Sequence, residues 1–303
     1  MEKVFYQVDA FTNEAFGGNP AAVVLNADNL SKNQMLKIAR EMALSETAFV
    51  KKSDTKEYDY EVRFFTPTEE VDLCGHATIG TFSVMAKKGI LKTNKNKIIV
   101  RQKTLAGILP VEIHFNSGNV SRVMMTQAKP KYVFKLEEVD EIASIMGINS
   151  DEIGLDGCDT TPMAFSTGLP DIILPVKNLE ILKKINPDFS KLSKYSKDHE
   201  VVGVHAFTIK DYGDPVLISC RNFAPAYGIN EEAATGTSNG ALAAYLIKND
   251  IIDICEKVDF ICEQGYFMDR PSQIVVEVTK DDNDLIIKVG GEAVLVMEGK
   301  IYL

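Results

Sequence analysis

The chain has 303 residues, 45% hydrophobic and 25% charged, the balance of a globular protein large enough for about two domains. Its 33 basic and 43 acidic residues leave a net charge of −10, which argues against nucleic acid or anionic membrane as the main partner, since both need a basic surface. Five cysteines without a CxxC pairing read as thiols of a reduced, cytoplasmic protein, and no apolar run nears the roughly 18 residues of a membrane span. The N-terminus reads as a strand and has no signal-peptide core.

Strands are expected at Val4 to Asp9 and Ala21 to Leu25, flanking the turn cluster Phe16-Gly17-Gly18-Asn19-Pro20. Ser31 reads as the N-cap of a helix running to about Met42, with Met35, Ile38, Ala39 and Met42 on one face. Strands follow at Ser45 to Val50 and Asp59 to Phe65. A helix from Cys74 to Lys88 has no charged residue before Lys87, so protein must enclose it on most sides. Short strands are expected near 97–100, 107–115 and 120–126. Helices are expected at about Leu136 to Met146 and Leu179 to Ile185. Strands at 201–209 and 216–223 precede a second apolar helix, Thr235 to Lys248, and strands near 274–278, 284–289 and 293–296 end the chain.

The two apolar helices open on a near-repeat. Asp72-Leu73-Cys74-Gly75-His76-Ala77-Thr78 begins one, and Ala233-Ala234-Thr235-Gly236-Thr237-Ser238 begins the other. Arg63-Phe64-Phe65-Thr66-Pro67 precedes the first, and Arg221-Asn222-Phe223-Ala224-Pro225 the second. A motif recurring at about half the chain length implies two similar lobes. The fold class expected is therefore α+β: two lobes, each a sheet curled around one central helix. The boundary is expected between Phe115 and Lys131, where the turn residues Asn116-Ser117-Gly118-Asn119 occur, giving lobes 1–118 and 119–303, with the last strand a candidate to cross back to the first lobe. Two helix N-termini facing each other across a cleft would suit an anionic small molecule.

Several residues carry candidate chemistry. Glu46 is either a solvated loop carboxylate or one held in a semi-enclosed cleft, where burial raises its pKa toward the range useful for proton transfer. Cys74 is a thiol acid/base, a nucleophile or a core thiol, and the helix N-terminus after it would lower its pKa if it faced the cleft. His76 either hydrogen-bonds a substrate or satisfies the turn. The Cys-x-His pair has no second pair of ligands in view, so no metal is expected. Thr235-Gly236-Thr237 offers amides to a carboxylate or phosphate, or is ordinary helix capping. Glu231 and Glu232 lie upstream as Glu70 and Asp72 do, and read as solvated carboxylates or charges near a helix N-terminus. No dinucleotide fingerprint, P-loop or nucleophile elbow is present.

These stretches, with Ser45-Glu46-Thr47-Ala48-Phe49, Thr104-Leu105-Ala106-Gly107, Glu263-Gln264-Gly265, Arg270-Pro271-Ser272 and Val289-Gly290-Gly291, resemble the PhzF family of phenazine-biosynthesis isomerases from end to end. The resemblance implies a diaminopimelate epimerase-like fold of two barrel-like lobes with the site between them, a homodimer and no cofactor. It places the catalytic glutamate on Glu46, the Gly-His pair on Gly75 and His76, the acidic residue of the second lobe on Glu232, and its Gly-Ser/Thr pair on Gly236 and Thr237. Asn19 joins the substrate-binding set. The family's usual Asp-Pro is Glu232-Ala233 here, which lengthens the carboxylate by one methylene and frees a backbone φ.

Epimerases of this fold use one thiol per lobe. Cys74 stands at the first such place and Thr235, a poor base at neutral pH, at the second. The expected function is a cofactor-independent isomerase that moves a proton between carbons of a small anionic substrate with Glu46, helped by His76 and Glu232. The alternatives are a one-thiol amino- or imino-acid racemase, epimerase or dehydratase using Cys74, and a non-catalytic carboxylate-binding protein.

Overall fold

The computed structural model describes residues 2–158, 160–281 and 284–303. The chain divides into two compact units, Met1–Thr126 with Gly290–Leu303, and Gln127–Val289.

In the first unit β1 (Glu2–Ala10) pairs antiparallel with β2 (Asn19–Val24). Helix α1 (Lys32–Met42) then leads to β3 (Glu46–Lys52), which lies parallel to β2. Strand β4 (Tyr60–Phe65) is antiparallel to β3, and the two-residue β5 (Glu70–Val71) folds back on β4. After helix α2 (Gly75–Lys87), β6 (Lys97–Thr104) runs parallel to β4 and continues into the antiparallel β7 (Gly107–Asn116) and β8 (Asn119–Thr126).

The second unit repeats the plan. Strand β9 (Lys131–Lys135) is followed by α3 (Asp140–Met146), β10 (Met163–Ser166), which pairs with β9, and β11 (Pro170–Pro175), which pairs with β10. Helices α4 (Leu179–Lys184) and α5 (Phe189–Asp198) lead to β12 (Gly203–Asp211), parallel to β11. Strand β13 (Val216–Ala224) is antiparallel to β12, and the short β14 (Ile229–Glu232) folds back on β13. Helix α6 (Gly236–Lys248), β15 (Lys257–Gln264), parallel to β13, β16 (Ser272–Asp281) and β17 (Asp284–Gly291) follow. The last strand, β18 (Ala293–Tyr302), pairs antiparallel with β1 in the first unit. The division falls after Thr126, within the Phe115–Lys131 window and eight residues beyond the turn at 118, because β8 pairs along β7.

The strand order of the first unit runs from β8 to β18, and α2 touches both of these end strands as well as β1, β2 and β3. The sheet therefore curls around the helix. Nine consecutive residues of α2, Ala77 to Met85, are buried, which covers every side of more than two turns. Helix α6 is enclosed in the same way. Its residues Ser238 to Leu246 are all buried, and it touches β10, β11 and β16. Truncating a fully buried side chain such as Phe82 or Tyr245 would cost about 3–5 kcal/mol.

Amphipathic helices cover the outer faces. Helix α1 lays Met35 and Ile38 against Phe49 and Phe65, and its N-cap Ser31 forms a capping box with Gln34. Leu182 and Leu192 of α4 and α5 pack with Ile142, Val204 and Phe223. Helix α5 is absent from the sequence expectation. Its lysines and serines dilute the apolar period, yet Asp188 caps it by accepting from the Lys191 amide, and Leu192 and Tyr195 are buried. The helix expected from Leu136 begins only at Asp140, and strands β9, β10, β11 and β15 were also not anticipated.

Candidate active site

The repeated Arg-x-Phe phrase serves the same packing purpose in both units. Arg63 on β4 forms a two-pronged pair with Glu70 on β5 at 2.6 and 2.8 Å, and its guanidinium lies over the Phe65 ring. Arg221 on β13 pairs with Glu231 on β14 at 2.8 Å through both nitrogens and lies over Phe223. Glu70 and Glu231 are thus not the solvated carboxylates expected from sequence. Each is clamped by arginine, and the Arg63 hydrogen bond holds Glu70 below the ordinary carboxylate value. Both pairs fix a short strand that delivers the chain to the N-terminus of an enclosed helix.

In the first unit that N-terminus gathers reactive groups. Cys74 is the N-cap of α2 in an extended conformation, and Gly75 is its first helical residue. A Cβ added at Gly75 would meet no atom within 4 Å, so its backbone borders open space. The parallel pairing of β2 with β3 sets Ala21 beside Glu46, which brings Asn19 of β2 and Glu46 of β3 toward the same helix end. Gly18 makes the turn before Asn19 with φ +58°, and a Cβ there would strike the Ala10 carbonyl oxygen at 2.2 Å.

The imidazole of His76 is the hub. Its Nε2 stands 3.2 Å from Glu46 Oε2 and 3.3 Å from Ser45 Oγ, and its Nδ1 stands 3.4 Å from Asn19 Nδ2 and 3.5 Å from Cys74 Sγ. The side chains of His76 and Glu46 are 10% and 18% exposed, so their pairing is shielded from water without being sealed from it. Ser45 enters this cluster although only its neighbour was singled out from sequence.

The electrostatics differ from the sequence expectation in one respect. Burial does push the Glu46 carboxyl upward, but its contacts with His76, Ser45 and Cys74 outweigh burial, and the group ends below its ordinary value. For His76, burial favours the neutral ring, but the adjacent Cys74 and Glu46 more than offset it and raise the imidazole well above its ordinary value. Burial and the Glu46 charge push the Cys74 thiol upward, so the helix N-terminus does not make it a ready thiolate. The pairing with Glu46 favours the protonated ring of His76, and burial favours the thiol form of Cys74.

The second unit places the other candidates around α6. Thr235 is its N-cap and Gly236 its first residue, while the Thr237 carbonyl accepts from Thr167 Oγ1 at 2.8 Å. Glu232 ends β14. One side chain that sequence reasoning passed over, Gln264, ties this turn together. Its Nε2 donates to the Glu232 carbonyl at 2.8 Å and to Thr235 Oγ1 at 3.1 Å, and its Oε1 accepts from the Thr235 amide and from Asn239 Nδ2. The Glu263-Gln264-Gly265 stretch is thereby explained. Gly265 has φ +77°, and a Cβ there would lie 2.3 Å from the Arg270 carbonyl oxygen and 2.7 Å from that of Ala233.

Behind Gln264 the bonds run on through the core. Asn239 Oδ1 meets His205 Nε2 at 3.3 Å, and Asn222 Nδ2 stands 3.2 Å from His205 Nδ1 and donates to Ser238 Oγ at 3.1 Å. Ser238 donates to Asp171 Oδ2. All five of these residues are buried. Burial raises Asp171 to about 6 and lowers His205 to about 4.

No described helix is long and apolar enough to cross a membrane. The sequence profile of the phenazine biosynthesis-like protein family, PhzC-PhzF, matches residues 8–299. An uncharacterized isomerase of Clostridium acetobutylicum is 38% identical over 302 residues, covering 98% of this chain and 97% of that one. The trans-2,3-dihydro-3-hydroxyanthranilate isomerase of Pseudomonas chlororaphis is 30% identical over 297 residues, 98% of each chain. Among solved structures, a PhzF-family phenazine biosynthesis protein of Bacillus anthracis superposes with a TM-score of 0.88 at 31% identity and full coverage of both chains. The chain belongs to the PhzC-PhzF family of phenazine biosynthesis-like proteins and is an isomerase of that family.

Proposed function

We propose that the chain is a one-base isomerase in which Glu46 removes a proton from a carbon made acidic by conjugation and returns it to a second carbon of the same molecule. The observation that carries this reading is the close grouping of Glu46 Oε2 and His76 Nε2, 3.2 Å apart, at the N-terminus of α2. Glu46 is ionised at rest and free to accept a proton, and the imidazolium of His76 stabilises the negative charge that develops on the substrate. Asn19 and the Gly75 amide orient the substrate at the same helix end. The Gly236 amide and the Thr237 hydroxyl bind an anionic group at the N-terminus of α6, and Glu232 assists binding or proton transfer there.

The thiol reading is weaker on physical grounds. Cys74 is held as a thiol beside a carboxylate, and the matching position in the second unit is Thr235, whose hydroxyl already accepts from Gln264. We take a dihydro-hydroxyanthranilate as the first substrate to try, because a relative 30% identical is named for that reaction. The test is turnover of trans-2,3-dihydro-3-hydroxyanthranilate, and of a panel of cyclic and linear amino acids, followed by NMR. Glu46→Gln keeps the shape and removes the base, so a loss of about 10²–10⁴-fold is expected. Near wild-type turnover by Glu46→Gln, with loss in Cys74→Ser, would replace this mechanism by the thiol one.

A further inference from the structure

Thr235 is a threonine at an N-cap that does not cap. Threonine is a favoured N-cap because its hydroxyl accepts from a helix amide, yet here that hydroxyl makes no bond to the α6 amides. It is engaged instead by Gln264 Nε2 at 3.1 Å. We propose that Thr235 is a further substrate-binding residue, whose hydroxyl donates to the carboxylate of the substrate, and that Gln264 is the positioning residue that turns the hydroxyl into that donor. This assignment rests on the reading above that the N-terminus of α6 binds an anionic group.

The direction of each bond around Gln264 follows from backbone groups, whose roles are fixed. The Glu232 carbonyl only accepts, so the Gln264 atom 2.8 Å from it is Nε2. The Thr235 amide only donates, so the atom facing it at 3.3 Å is Oε1. Asn239 agrees with this orientation. Its Nδ2 donates to the Thr235 carbonyl at 2.9 Å, and the same nitrogen donates to Gln264 Oε1 at 2.9 Å. Gln264 Nε2 carries two hydrogens, one for the Glu232 carbonyl and one for Thr235 Oγ1. An amide nitrogen offers no lone pair, so the hydroxyl must accept there and its own hydrogen points away from Gln264. Among the described residues no acceptor takes that hydrogen.

The hydroxyl therefore has a committed lone pair and an uncommitted proton. Gln264 and Asn239 are fully buried, so water does not compete for the bonds that set this polarity, whereas Thr235, Gly236 and Thr237 are half-buried and open to a ligand. The Gly236 and Thr237 amides have no acceptor among the described residues, as expected for the first turn of a helix without a side-chain cap. Thr235 adds an O–H to these two N–H groups on one turn. Three donors suit the several lone pairs of a carboxylate, and bonds to a charged acceptor are stronger than neutral ones. A hydroxyl oriented before the ligand arrives loses less freedom on binding than one that must be turned.

The test is a double-mutant cycle in the full-length protein, with thermal melts confirming that each variant is folded. Thr235→Val removes the hydroxyl and keeps the shape, and Gln264→Met removes the amide and keeps the length. With trans-2,3-dihydro-3-hydroxyanthranilate as substrate, Thr235→Val should raise KM about tenfold or more with a smaller change in kcat. Thr235→Ser, which retains the hydroxyl, should recover most of that loss. Gln264→Met should raise KM when Thr235 is present and lose most of that effect in the Thr235→Val background. If Gln264→Met does not fold, Gln264→Glu takes its place, because the oxygen standing where Nε2 was has no second hydrogen for Thr235 in either protonation state. A KM unmoved by Thr235→Val, or an effect of the Gln264 variant that is equal in both backgrounds, would overturn the assignment. Benzoate gives a readout without turnover. Its titration, followed by NMR at the Gly236 and Thr237 amides, should show binding that weakens about tenfold in Thr235→Val. A chain inactive toward every substrate that binds benzoate through Thr235 keeps the assignment and sinks the isomerase mechanism. An active isomerase whose KM ignores Thr235 does the reverse, and a chain showing neither turnover nor benzoate binding sinks both.

Discussion

The N-termini of α2 and α6 share one plan and differ in how their polar groups are satisfied. Both helices run for 13 residues, both are enclosed, both have an extended N-cap without a side-chain capping bond, and both follow an Arg–Glu clamp. At α6 the donors and acceptors are tied into a continuous network through Gln264, Asn239, His205, Asn222, Ser238 and Asp171. At α2 the contacts are longer, and the shielded Glu46 Oε2 stands 3.2 Å from His76 Nε2 without an aligned hydrogen bond among the described residues. A saturated polar network rigidifies its surroundings, whereas a cluster of titratable groups with shifted proton affinities suits the proton transfer proposed for it.

Gln264→Ala should expose this contrast most sharply. It strips partners from the half-buried Thr235 amide and hydroxyl and Glu232 carbonyl and leaves Asn239 Nδ2 only its bond to the Thr235 carbonyl, and each lost partner costs about 1–3 kcal/mol. A loss of about 4 kcal/mol in urea unfolding is expected, against about 1 kcal/mol for Cys74→Ala at the matching cap. Equal losses at the two caps would erase the distinction.

The next effect comes from two buried groups whose proton affinities are shifted in opposite directions. Asp171 holds its proton to about 6 in the fold, against an ordinary 3.8, so its contribution is fully present below 3.8 and is lost as pH rises to about 6. His205 is lowered to about 4 from 6.5, so its contribution is present above 6.5 and is lost as pH falls to about 4. Each slope amounts to about 3 kcal/mol, and between pH 4 and 6 they nearly cancel. Asp171→Asn leaves the histidine slope alone and should lose about 3 kcal/mol, relative to wild type, on acidification from 6.5 to 4. His205→Gln should instead lose stability as pH rises from 4 to 6. Denaturant titrations at stepped pH check both signs, and parallel profiles for all three proteins would show that these groups do not ionise as described.

The smallest expected difference lies between the clamps. Arg221 also donates to the Leu182, Lys183 and Ile185 carbonyls at the end of α4, whereas Arg63 has no such set among the described residues. Arg221→Lys should therefore cost about 2–3 kcal/mol and Arg63→Lys about 1 kcal/mol, because lysine cannot reproduce the planar fork. Thermal or urea unfolding of the two variants reads the gap.

Much of this architecture was legible in sequence because it is local. The apolar runs of α2 and α6, the Ser31 cap and the Arg-x-Phe repeats all sit in short windows. The members of the buried network were not legible. Asp171 and His205 are single polar residues inside the apolar strands Asp171-Ile172-Ile173-Leu174 and Val204-His205-Ala206, and their partners come from other elements. The only local signal was a polar residue where the strand pattern calls for an apolar one. Glu46, Cys74 and His76 could be named singly from the resemblance, but their approach depends on β3 lying next to β2 beneath the N-terminus of α2, a non-local pairing. The direction of the Glu46 shift failed for the same reason, since burial is foreseeable from sequence and a neighbouring imidazolium is not.

The most direct test of Glu46 as the single acid/base is the fate of the migrating hydrogen during one turnover in D₂O. A lone carboxylate shielded with His76 should return part of the original protium to the product, and NMR should find a mixture of protiated and deuterated product that vanishes in Glu46→Gln. Complete deuteration of the product, formed at wild-type rate by Glu46→Gln and not by Cys74→Ser, would contradict the account.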